Sequence, residues 1–153
     1  MSRLGSLIAG VAFAFASGSA VADDDSKWLP NTELTPGAIV ETRAAVICVH
    51  GYVKAHRVWH DKTGTLAEYR ITPDRASQFE DDDLIPVCLG GNNASPLNHW
   101  PQLFSGEWGT EMKDALEQRV CGEICLTRDD AQLARYQNAF AKDSVALYRQ
   151  IMR

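Results

Sequence analysis

The chain has 153 residues, with 15 basic and 20 acidic side chains, a formal charge of −5 and 45% hydrophobic residues. That length suits one compact domain able to bury an adequate core. The acidic balance excludes a general electrostatic attraction for nucleic acid, whose binding is dominated by Lys and Arg contacts to phosphate.

Met1 to Ala22 reads as a signal peptide, with Arg3 as a minimal positive start, Leu7 to Phe15 as the apolar core and Ala20-Val21-Ala22 as a small-residue cleavage site. The apolar run is shorter than the roughly 20 residues that span a bilayer, and the acidic DDDSK follows at once. Cleavage before Asp23 leaves 14 basic and 20 acidic residues, a charge of −6, in a periplasmic or secreted protein. In either compartment the four cysteines, Cys48, Cys88, Cys121 and Cys125, favour disulfides over free thiols or a zinc cluster. Cys121 and Cys125 also fit a C-x-x-x-C redox or metal pair, a weak signal on spacing alone.

Residues 23–43 are polar and punctuated by Pro30 and Pro36, which predicts an irregular arm ahead of a domain over 44–153. Ala44 to Val49, AAVICV, is a short apolar run rich in β-branched residues and predicts a buried strand ended by Gly51. His56 to Thr65 is turn-like, and Leu66 to Ile71 fits a short helix or a strand. Lys54, Arg57, Lys62, Arg70 and Arg75 in this region read as ordinary surface charge, with a local basic patch as the alternative. The next predicted strand is Leu84 to Leu89, followed by a turn at Gly90-Gly91-Asn92-Asn93 that needs positive backbone angles.

Asn98 to Pro101 is then the returning strand of a hairpin, and Thr110 caps a helix from Glu111 to about Val120. Met112, Leu116 and Val120 give that helix one apolar face. A second helix starts after Thr127, where Thr127 and Asp130 form a capping-box-like pair. Its stripe of Leu133, Tyr136, Phe140, Leu147 and Ile151 has the spacing of a core face.

The segment Phe79 to Gln102, FEDDDLIPVCLGGNNASPLNHWPQ, resembles the HNH, or ββα-metal (His-Me finger), endonuclease superfamily, in particular small exported bacterial members. Their equivalent segment reads roughly (Y/F)E-x-DHLIPLELGG…NLWPQ. LTPGA at Leu34 to Ala38, ICVHGYVKAHR at Ile47 to Arg57, and GEWGTEMKDALEQRVC at Gly106 to Cys121 extend the likeness over most of the chain. The resemblance implies an α+β fold, a ββα hairpin-plus-helix core with an additional C-terminal helix, stabilised by disulfides. Cys48 and Cys121 stand where the family carries cysteine, which implies a Cys48–Cys121 bridge. Cys88, in place of the usual glutamate, and Cys125 then form the second.

In such a site a divalent cation, here Mg²⁺, Mn²⁺ or Ca²⁺, stabilises the scissile phosphate of DNA or RNA while a histidine activates water. The resemblance puts Asp82 on the metal, Asn98 as the asparagine that holds the geometry, and Glu111 as a further metal ligand where many relatives have histidine. Asp83 stands at the catalytic histidine. Histidine, with an ordinary pKa near 6.5, is matched to neutral operation, whereas an aspartate near 3.9 is too weakly basic. The implied protein is therefore an exported nuclease-like chain with a degenerate site and at most weak phosphodiesterase activity. The alternative is a catalytically inactive module that binds a cation or a protein partner. The acidic run Glu80-Asp81-Asp82-Asp83 could hold a hard cation through its oxygens, although strand alternation turns such residues to opposite faces. His99, next to Asn98, is expected to pack on the face opposite that asparagine.

Overall fold

The computed structural model describes residues 29–152 as an α+β chain with one two-stranded antiparallel sheet and two disulfides. The signal-peptide segment and the start of the arm lie outside the described residues. Three short helices come first, α1 (Ala44–Ile47), α2 (Tyr52–His56) and α3 (Thr63–Glu68). The sheet follows, β1 (Phe79–Asp83) and β2 (His99–Leu103), and then two long helices, α4 (Thr110–Thr127) and α5 (Asp130–Ile151). In the sheet Phe79 faces Leu103 and Asp83 faces His99. Among the described residues no helix is long and apolar enough to cross a membrane.

The main core sits where α4 and α5 meet α1 and α2. Leu116, Val120 and Ile124 of α4 pack with Leu133, Tyr136, Phe140 and Leu147 of α5, and Ala44, Ile47, Tyr52, Ile85, Val87 and Leu89 close the cluster. The apolar spacing read in both helices is thus the buried face, with Ile151 at its half-buried end. α4 runs seven residues beyond the expected end, to a left-handed cap at Arg128. The cap of α5 is Asp129, which accepts from the Gln132 N–H at 2.9 Å, rather than the expected Thr127 pair. Asp130 is used elsewhere, accepting from the Ala44 N–H at 2.6 Å and so tying the start of α1 to α5.

Two expected strands do not form. Ala44 to Val49 is α1 and a following turn; its buried residues, Ala44 and Ile47, are three apart, the spacing of one helical turn. Leu84 to Leu89 lies beyond the end of β1 and closes into a 3₁₀ turn at Val87–Leu89. Pro86 has no N–H to give a sheet, and the Asn98 side chain takes both the N–H and the carbonyl of Ile85. The strand is instead the acidic FEDDD, and Leu66 falls in a helix, α3.

The expected Gly90-Gly91 turn is present, and its reason is close approach. Gly90 has φ +79°, and a Cβ there would lie 2.0 Å from the Glu41 carbonyl oxygen; one at Gly91 would lie 1.8 Å from that of Ile85. No side chain fits, so the described part of the arm can cross here, with Ile39 bridged to Gly91. The arm is irregular but held: the buried Thr35 hydroxyl donates to the His99 carbonyl at 2.8 Å.

All four cysteines are bridged, in the opposite pairing to that expected: Cys48 to Cys125 and Cys88 to Cys121. The longer α4 explains it. Cys125 lies one turn beyond Cys121, where the end of α1 reaches it, while Cys88 in the 3₁₀ turn meets the earlier turn. Non-reducing peptide mapping is expected to recover these two linkages. The Cys48–Cys125 bridge closes a separation of 77 residues, so Cys48→Ser with Cys125→Ser is expected to cost about 4 kcal/mol in urea unfolding. Recovery of Cys48 linked to Cys121 would overturn the assignment.

Candidate functional site

Strand alternation divides the acidic run. Asp82 points to α4, where it meets the buried Lys113 ammonium at 2.5 Å. Lys113 also bonds Glu117, one turn on. Burial disfavours the charge on Lys113, but Asp82 and Glu117 more than reverse this and hold it protonated. Glu80 shares this side: burial first, then Asp82 and Asp114, push its carboxyl up to about 7, with Lys113 pulling the other way.

Asp81 and Asp83 share the other side with His99, which stands opposite Asp83 in the sheet register. His99 Nε2 is 2.6 Å from the Asn93 carbonyl oxygen, so this nitrogen donates. Its Nδ1 stands 3.1 Å from Asp81 Oδ2 as an ion pair. Both nitrogens therefore face acceptors, which favours the protonated ring. Burial alone would lower its pKa; Asp81, the Asn93 carbonyl and Asp83 outweigh that and raise it. His60 packs beside it, ring centres 4.2 Å apart.

Asp83 is 5% exposed, and each carboxylate oxygen accepts from an amide: Oδ2 from Asn93 at 3.0 Å and Oδ1 from Asn98 at 3.1 Å. Burial raises its pKa, while the Asn93 bond acts in the opposite sense. Asn98 is fully buried and also accepts from the Ile85 and Ala38 N–H groups. Because Asn98 belongs to the turn before β2 and not to the strand, its side chain and His99 approach Asp83 together, against the expectation of opposite faces. Asn93 joins the pieces, since its Oδ1 also accepts from the Val58 N–H. No sequence signal distinguished it from a turn asparagine.

A cleft of about 570 Å³ opens beside β1, floored by Glu80 to Asp83 with His99 and Asn93, and walled by Lys54, Arg57, Trp59 and His60. The structure thus brings Asp82, Asp83 and Asn98 into one neighbourhood. Glu111 is exposed near the start of α4 and is not part of the cleft lining. Among the described residues no group of three His, Cys, Asp or Glu side chains is arranged to hold a metal ion. Asp82, the residue implied as metal ligand, already has an ammonium on it.

Chemically, then, the site offers fixed charges and hydrogen-bonding groups. A water-activating base needs a free lone pair and a pKa near neutrality; His99 Nε2 is taken by the Asn93 carbonyl and Nδ1 faces Asp81, and each oxygen of Asp83 already accepts from an amide. The chain matches no protein-family model, no curated protein and no solved structure.

Proposed function

We propose that this is an exported HNH-like domain whose nuclease site has been dismantled, and that it acts outside the cytoplasm by binding. The observation that carries the reading is the state of Asp83. At the position where the resembled family has its catalytic histidine, the chain has a buried carboxylate with both oxygens held by Asn93 and Asn98. Such a group positions the loop of residue 93 against the hairpin and is poorly placed to take a proton from water. The ammonium of Lys113 on Asp82 supports the same conclusion, because it occupies the carboxylate a cation would need. A second reading, a slow metal-dependent phosphodiesterase on DNA or RNA, draws support from Lys54 and Arg57 on the cleft wall.

Plasmid cleavage separates the two. With Mg²⁺, Mn²⁺ or Ca²⁺, the purified protein is expected to give no nicking that EDTA abolishes. Asp83→His is expected to raise EDTA-sensitive cleavage by no more than roughly a hundredfold over background, the lower end of a general-base contribution, since Lys113 still holds Asp82. Wild-type cleavage as fast as that of the variant would sink the binding reading in favour of the enzyme.

A further inference from the structure

Among the described residues, the cleft combines a carboxylate oxygen without a hydrogen-bond partner and cations without an ion pair. Asp81 Oδ1 is buried without a hydrogen-bond partner, on a side chain only 8% exposed. A buried acceptor left unmatched costs roughly 1–3 kcal/mol unless something donates to it. The same carboxylate lines the cleft beside half-buried Glu80. On the wall, Lys54 and Arg57 form no ion pair with any described residue, and Trp59 lies there 85% exposed. His60 adds a buried Nε2, also without a partner.

We propose that the cleft binds an amino-acid-type zwitterion, a ligand with a protonated amine and an anionic group a few bonds apart and an apolar portion beside them. This rests on the reading of the domain as a binding module. The ammonium donates to Asp81 Oδ1; the anionic end faces Lys54 and Arg57; the apolar portion lies on the Trp59 indole. A purely anionic ligand leaves the buried Asp81 oxygen unmatched, and it brings negative charge to a floor that already holds the Asp81 and Asp83 carboxylates. A simple cation meets the repulsion of Lys54 and Arg57 and leaves both of them without a counter-charge. Only a ligand with both charges satisfies both walls. The volume is ample, since small-molecule sites fall in the range of about 300–1,000 Å³.

The test is calorimetric titration of the oxidised full chain with L-phenylalanine, N-acetyl-L-phenylalanine, L-phenylalanine amide, inorganic phosphate and a short single-stranded DNA. Saturable binding of L-phenylalanine is expected, with blocking of either end weakening it roughly tenfold to a hundredfold, as for loss of one charge-assisted contact. Asp81→Asn is expected to weaken it similarly. Trp59→Ala and Arg57→Gln, on the exposed wall, keep the measurement informative should the Asp81 variant fold poorly. Equal affinity for the N-acetylated compound, binding of phosphate or DNA alone, or no saturable binding of L-phenylalanine would each overturn the inference. The plasmid assay is independent: a protein that cuts overturns the binding-module reading, whereas one that neither cuts nor binds L-phenylalanine overturns only the zwitterion.

Discussion

Replacing Lys113 with methionine is expected to cost about 3–5 kcal/mol at pH 8, the range for removing one partner of a buried ion pair. Lys113 is 1% exposed and is the cation shared by Asp82 and Glu117. Methionine fills much of the same space, so the loss is electrostatic rather than a cavity. Without the ammonium, Asp82, Glu117 and the nearby Glu80 face one another in a poorly solvated pocket, and the cheapest relief is protonation. The deficit is therefore expected to shrink as pH falls from 8 to 5.

The wild type has a weaker trend of the same sign. Glu80 titrates near 7 when folded and near 4.5 when unfolded, so between those values the folded chain holds a proton that the unfolded chain has released. Stability then rises as pH falls through that window, on the order of 1 kcal/mol because Glu80 is half exposed and solvent screens it. Lys113 remains charged throughout and adds no slope there. Urea unfolding of both proteins at pH 5 and pH 8 checks this. An equal loss at the two pH values would show that Lys113 acts by packing and not as a counter-charge.

The same network marks where sequence reading succeeded and where it stopped. The faces of α4 and α5 were readable because Leu116 and Val120, and Leu133, Tyr136 and Phe140, each repeat at helical spacing and are buried by it. β1 was not. Four acidic residues in a row oppose strand formation on propensity alone, and what makes FEDDD a strand comes from elsewhere: Lys113 thirty-one residues on, His99 across the sheet, and two asparagines. The run AAVICV misled in the other direction, since β-branched content favours a strand and only the pairing partner, absent here, decides it. In the site, the motif put Asp82, Asp83 and Asn98 in one place, but not the partners that each of them has there. Asp82 is neutralised by a lysine, Asp83 is clamped, and Asn93, which joins the cleft wall to its floor, looked like one more turn residue.

Asn98→Ala is expected to cost about 3–5 kcal/mol, since several buried polar groups lose their partners and each unmatched group costs roughly 1–3 kcal/mol before relaxation. The side chain is fully buried. Its Oδ1 accepts from Ile85 N–H at 3.0 Å and Ala38 N–H at 3.3 Å, and its Nδ2 donates to the Ile85 carbonyl at 3.0 Å and to Asp83. One amide thus substitutes for a strand neighbour at Ile85, fixes the crossing of the arm and holds the Asp83 carboxylate. Alanine removes all four bonds in a place too enclosed for bulk water to replace them at once. Asn98→Asp keeps the size but turns a donor into an oxygen facing the Asp83 carboxylate and the Ile85 carbonyl, so at pH 8 it is expected to be at least as damaging, with partial recovery at pH 5 as a shared proton restores one donor. Denaturant unfolding measures the loss, and amide exchange locates it: Ile85 and Ala38 should lose protection first. A cost below about 1 kcal/mol for the alanine variant, with Ile85 still protected, would mean that the hairpin entry is held by its apolar packing and that Asn98 is no more than an occupant of the turn.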